Sequence, residues 1–190
     1  MPRKQLMKAE VVGKRIYLRP LEANDAAEFT ALNRASKNFH RGFVSPPVRP
    51  EQFQTLLERC GRPDMICFLM CRVADDAIVG SINLSQIFRG GFQSAYLGYH
   101  IGAKFARQGY MSEALWLVLK YSFEKLGLHR LEANIQPSNR ASIALVKRAG
   151  FVREGFSRRY LKICGRWRDH ERWAIIVEDW KAKRASRATR

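Results

Sequence analysis

Residues 95–127 read AYLGYHIGAKFARQGYMSEALWLVLKYSFEKLG, and residues 128–149 continue LHRLEANIQPSNRASIALVKRA. The order is strand, glycine-bearing turn, helix, strand, polar turn, helix. Residues 96–101 are short and β-rich, and Gly98 inside them predicts a bulge or a close backbone approach. Gly102 and the segment Arg107-Gln108-Gly109-Tyr110-Met111 then lead into a helix that carries Ala114, Leu115, Val118, Leu119 and Phe123 at helical spacing. A glycine turn running into a helix start gathers unpaired N–H groups at the positive end of the helix dipole, a cradle for a phosphate or pyrophosphate. Taken alone, the turn fits an ordinary strain-relieving loop equally well.

The second half tips that balance. Residues 131–135 read as another short strand, Gln136-Pro137-Ser138-Asn139 breaks it, and residues 141–149 form a helix stopped by Gly150. A helix joining two strands predicts that the strands are adjacent and parallel. If they splay, a linear ligand can wedge between them, with phosphates on the first helix and Asn139 and Ser142 flanking its far end.

The remaining chain feeds this centre. Residues 15–19 alternate as an edge strand, and Asn24 and Asp25 start a helix through about residue 34. Residues 37–50 (KNFHRGFVSPPVRP) lack a clean period and predict a loop with a solvent-facing His40. A second helix fits residues 51–60. Residues 65–73 and 77–88 make a hairpin that turns at 88–92 into the central strand. Residues 152–161 and 167–177 make a last hairpin around Cys164-Gly165. Residues 1–180 read as one domain, and 181–190 (KAKRASRATR) as a basic tail without regular structure.

With 190 residues the chain suits a single substantial core, and 46% hydrophobic content excludes a disordered protein. No apolar run approaches a membrane span, and residues 1–15 have no apolar leader core. Four cysteines without CxxC or His spacing predict no metal site and a reduced, cytoplasmic protein, with Cys67 and Cys71 packed as small hydrophobes. Lys and Arg number 34 against 17 Asp and Glu, and this net charge of +17 favours polyanionic partners.

The segments YLGYHIG, RQGYMSEA, HRLEANIQPSN and YLKICGRWRDH, with GYHIGAKFARQGYMSEAL as their centre, resemble the acetyl-CoA-binding core of the GNAT superfamily of N-acetyltransferases. Within it they are similar to the ribosomal-protein-alanine N-acetyltransferases of the RimJ type, over nearly the whole chain. Ala106 and Met111 depart from the superfamily loop pattern Gln/Arg-x-x-Gly-x-Gly/Ala, which leaves the backbone amides as the phosphate ligands. The resemblance implies an α/β fold with a mixed, mostly antiparallel sheet splayed at two parallel strands and flanked by about four helices. It implies acetyl-CoA as co-substrate, held by Ile101, Arg107, Gln108, Gly109, Tyr110, Met111, Ser112 and Asn139. Backbone N–H groups near Tyr99 to Ile101 would polarise the thioester.

For the chemistry, the resemblance makes Ser142 the donor of a proton to the CoA thiolate, against a purely structural helix-start role. Glu132 is a candidate base, or simply the partner of a nearby arginine. Tyr99 and His100 fall on opposite faces of their strand, so only one faces the acceptor; Glu154 is a weaker candidate. Tyr160, Trp167 and Trp173 read as core or lip residues. Arg166, Arg168 and Asp169 line either the acceptor entrance or an exposed charged turn. The acceptor implied is the N-terminal amine of a ribosomal protein, with the ribosome or its RNA as further partner and a monomer or homodimer as the assembly. A small amine such as a polyamine is the rival substrate, and a non-catalytic RNA-binding module the rival class.

Overall fold

A computed structural model describes residues 8–188. The strands are β1 (Val11–Val12), β2 (Ile16–Pro20), β3 (Met65–Arg72), β4 (Ile78–Phe88), β5 (Ser94–Ile101), β6 (Arg130–Ile135), β7 (Val152–Ile163) and β8 (Arg166–Ile176). The helices are α1 (Ala26–Ala35), α2 (Lys37–His40), α3 (Pro50–Cys60), α4 (Tyr110–Lys120), α5 (Arg140–Ala149) and α6 (Val177–Ala188). All eight strands form one sheet in the order β1-β2-β3-β4-β5-β6-β8-β7. Every pairing is antiparallel except β5–β6, as the crossover through α4 requires.

That parallel pair is short. Ser94 faces Arg130, Ala95 faces Leu131, Tyr96 faces Glu132, and the ladder stops there. The strands then part, because β5 stays with β4 as far as Ile101 and β6 follows β8 as far as Ile135. The register shift in this region lies on β4, between Ser85 and Phe88. Gly98 is instead a place of close approach: a Cβ there would stand 2.8 Å from Asn83 Oδ1.

Alternate β6 residues Leu131, Ala133 and Ile135 are buried, and α4 covers the sheet with Ala114, Leu115, Val118 and Leu119. On α1, Phe29 meets Phe53 of α3 at 5.4 Å between ring centroids. Arg19 on β2 and Asp25 before α1 are both buried and share two hydrogen bonds, of 2.8 and 2.6 Å. A bidentate pair of this kind is the form in which buried charges persist.

Three expectations are corrected. The four expected helices are α1, α3, α4 and α5, but residues 181–188 continue α6 instead of forming an irregular tail; 189 and 190 lie outside the described residues, as does the 1–7 stretch of the leader reading. The helix holds because Trp180 is buried against Trp116 and Phe123, at 6.2 and 5.5 Å. Glu178 and Asp179 sit in its first turn and the cations in later turns, in keeping with its dipole. Second, Cys60 and Cys67 form a disulfide, since the end of α3 and the start of β3 bring their Cα atoms to 5.6 Å; Cys71 alone packs as a free buried thiol. Third, residues 37–40 are helical, and His40 is buried.

Candidate active site

The gap between β5 and β6 is lined with backbone polar groups. Gly102 N–H donates to Val79 O on β4 at 2.8 Å. By the alternation of an antiparallel ladder, the amides of Leu97, Tyr99 and Ile101 therefore point away from β4, to the side from which β6 has withdrawn. At the end of β5 the chain makes a turn at Ala103–Phe105 and enters α4 through Gly109, whose φ of +85° is left-handed. Arg107 also has a positive φ, of 60°. Glu113 N–H is the first to find an intrahelical acceptor, Gly109 O at 3.1 Å. The amides of Tyr110, Met111 and Ser112 thus form the open end of the helix.

Arg15 holds this turn from behind. Its guanidinium donates to Gln108 O at 2.9 Å and lies over the Tyr110 ring at 4.7 Å, and its backbone N–H donates to Glu113 Oε1 at 2.7 Å. A cavity of about 500 Å³ opens in front. Ile101, Arg107, Gly109, Met111, Ser112 and Asn139 line it, with Tyr99 and Ser142. Gln108 and Tyr110 do not: the Gln108 side chain turns back to Lys104 O at 2.8 Å, and Tyr110 packs edge-on against Phe105.

At the far end α5 begins. Asn139 caps it, its Oδ1 accepting from Ser142 N–H at 3.1 Å. Its carbonyl is thereby engaged in the helix start. Ser142 and Tyr99 both line the cavity at this end. Burial pushes the Tyr99 hydroxyl up to about 12, and the Ser142 side chain offsets part of that rise without closing a hydrogen bond of ordinary geometry. Among the described residues the buried Tyr99 hydroxyl therefore has no partner, a costly condition that marks a place for a ligand atom.

His40 is a second such group, and it has no periodic or motif signature in sequence. It is 5% exposed, and its Nε2 lies 2.9 Å from Ile101 O. A carbonyl only accepts, so Nε2 carries the proton; Nδ1 is buried with no partner among the described residues. Phe39, Phe43 and Val44 beside it complete the wall of the cavity, and Arg148 lies at its α5 side. His100 points to the opposite face from Tyr99. Its Nε2 bonds Asn33 Oδ1 and its Nδ1 Ser81 Oγ, both at 3.1 Å, while Asn33 Nδ2 donates to Pro47 O at 2.9 Å. This chain ties β4 and β5 to the 41–49 loop. Burial, with repulsion from His40, lowers the His100 imidazole to about 3, so it stays neutral.

A second cavity of about 550 Å³ lies across His40 and Val44, which line both. The 41–48 loop, Asn33, Gln52 and Cys164 at the tip of the β7–β8 hairpin bound it. Among the described residues, Lys37 and Arg41 are its charged lining residues, and no carboxylate lines either cavity. Glu132 lies outside both. It faces away from buried Leu131 and Ala133, and its carboxylate accepts from Arg130 Nε at 2.9 Å. Arg130 also pairs with Glu154, whose carboxyl it holds low. The structure thus gathers Tyr99 and Ser142 and leaves Glu132 apart.

Residues 15–152 match the acetyltransferase (GNAT) domain family. The chain is a GNAT acetyltransferase. It is 36% identical over 177 residues to "Probable N-acetyltransferase YjcK" of Bacillus subtilis, covering 88% of this chain and 97% of that protein. Over 103 residues it is 43% identical to the ribosomal protein uS5-alanine N-acetyltransferase of Escherichia coli, about half of each chain (54% and 53%). The solved structure of Mycobacterium smegmatis RimJ in complex with CoA-disulfide superposes with a TM-score of 0.80 at 28% identity, covering 92% of this chain and 90% of that one. GNAT enzymes take their acetyl group from acetyl-CoA. The outward amides of β5 and the open α4 terminus that follows the left-handed Gly109 fit that molecule's thioester arm and pyrophosphate.

Proposed function

We propose that this acetyltransferase modifies the N-terminal α-amino group of a ribosomal protein that begins with alanine. The observation that carries the reading is the pair of cavities sharing His40 and Val44, one against the cofactor elements and one against the 41–48 loop. An acyl donor in the first meets an amine entering from the second. The absence of carboxylates from both linings disfavours a polyamine, which needs anionic partners for its several charges and also meets a chain of net charge +17. The named relatives from Escherichia coli and Mycobacterium smegmatis support the ribosomal substrate. Such a substrate puts the reaction in the cytoplasm.

In this reading the amides of Tyr99 and Ile101 draw charge onto the thioester oxygen as the amine attacks its carbonyl carbon. The C–S bond breaks, and the Ser142 hydroxyl gives the thiolate its proton. The proton lost by the tetrahedral adduct restores the serine, through water. The buried Tyr99 phenol, unpartnered among the described residues, meets the acetyl-thioester end of the co-substrate beside Ser142. The test is mass spectrometry of acetyl transfer to peptides copying ribosomal-protein N-termini, with spermidine as competitor. Transfer to the α-amine of alanine peptides, and little to spermidine, is expected. Transfer to spermidine alone would replace this reading with the small-amine one, and no turnover on any amine would make the chain a non-catalytic module.

A further inference from the structure

We propose that the face of the β7–β8 hairpin that carries Phe156 and Trp167 is a docking surface for single-stranded RNA; neither ring lines the acetyl-transfer cavities, which the hairpin touches at Cys164. The hairpin ends the sheet, with β7 as edge strand. Along β8 the residues Trp167, Asp169, Glu171 and Trp173 alternate on one face, and Trp173 fixes which: it is buried with Lys147 of α5 over its ring at 5.4 Å. Across the ladder Arg153 faces Trp173, Phe156 faces Glu171 and Lys162 faces Trp167. That face therefore presents Phe156 and Trp167, each with a cation nearby. Both rings are open, Phe156 at 46% and Trp167 at 60% exposure, whereas Trp173 and Trp180 are buried. Four residues of β8 separate the two ring positions, about 13 Å along the strand.

Charge selects the occupant. The hairpin holds seven cations and three carboxylates, Glu154, Asp169 and Glu171. All three carboxylates are already engaged: Glu154 with Arg130, Asp169 with Arg159 N–H, and Glu171 with Trp173 Nε1 and Arg153. A second copy of this strand would set cations against cations, so edge pairing between copies is opposed. A polyanion is favoured instead. Open aromatic rings among those cations distinguish a polyanion that carries flat bases from an acidic protein, because every base can stack while phosphates meet Arg153, Lys162 and Lys147.

The test uses the full chain, short oligouridylate RNA and intrinsic tryptophan fluorescence. RNA should quench the emission of exposed Trp167. Trp167→Ala should weaken binding by about fivefold or more, with Trp167→Phe recovering part of the loss. Lys162→Gln should lower the slope of log affinity against log salt by about one. CoA titration should be the same for all three variants, which shows that the fold is intact and keeps the result independent of the acetyl acceptor. Equal RNA affinity for Trp167→Ala and the parent overturns the proposal. So does polyglutamate binding as tightly as the RNA, which would mark a general anion surface.

Discussion

At Gly109 two demands meet on one residue: a φ of +85° and a close approach of the Arg15 guanidinium that ties the turn to Gln108 O. A side chain there would also meet Arg15 Nη2, 2.8 Å from the position of its Cβ. Gly109→Glu strains the left-handed turn and drives the Arg15 head off Gln108 O, so the amides of Tyr110 to Ser112 lose their set position at the proposed pyrophosphate site. CoA affinity measured by calorimetry should fall by about tenfold or more, with the circular dichroism spectrum retained. Ser142 permits a cleaner separation, because the Asn139 cap uses its backbone N–H and survives replacement by alanine. Ser142→Ala should reduce kcat by about 10²–10⁴-fold and leave the KM for acetyl-CoA nearly unchanged. A drop of less than about threefold assigns Ser142 to the helix start alone, with Tyr99→Phe the next variant to measure.

Among the elements, α6 departs most from its sequence reading, and one side chain accounts for it. Trp180 is 1% exposed and packs against α4 and the turn that follows it through Trp116 and Phe123. Trp180→Ala opens a large cavity, and unfolding in urea should show a loss of about 3–5 kcal/mol. The outer turns contribute less. Arg184 pairs with Glu124 and lies over the Trp180 ring, but the pair is half exposed, so Arg184→Ala should cost below about 1 kcal/mol. The lysines and arginines of 181–188 carry no apolar period, so nothing in that stretch by itself marks a helix. Its start, Val177-Glu178-Asp179-Trp180, is anchored by tertiary packing, and the alanines and long cations after it are good propagators.

For the whole molecule, the buried neutral imidazoles make stability depend on pH. His100 is lowered to about 3 by burial and then by His40, and His170 is lowered chiefly by burial. In the unfolded chain both regain ordinary basicity, near 6.5. Below that pH the unfolded state binds more protons than the folded one, so stability falls as pH falls from about 6.5 towards 3. One such group adds a slope of up to about 1.4 kcal/mol per pH unit. Glu154, held low by Arg130, acts in the same direction at more acid pH. The Tm should therefore drop steadily below pH 6.5. In the native protein the His100 ring resonances should stay unchanged from pH 8 to 4.5; their titration near 6.5 would contradict the neutral, buried assignment.

Much of this architecture was written locally. The 95–149 stretch specifies strand, turn, helix, strand and helix through periodicities that need no partner, and a crossover helix between two strands leaves parallel adjacency as their arrangement. The left-handed Gly109 and the Gly150 stop of α5 are backbone properties that glycine announces in any context. Tertiary structure decided what depends on neighbours from distant parts of the chain. His40 looked like a loop residue, because its burial comes from Ile101 and His100, some sixty positions away. Glu132 reads in sequence equally as a base or as an arginine's partner, because strand alternation states which side it takes but not that Arg130 is the group waiting there. The cavity itself belongs to this second kind. Its walls come from α2, β5, the α4 turn and α5, and only the parting of β5 from β6 beyond Tyr96 makes room between them.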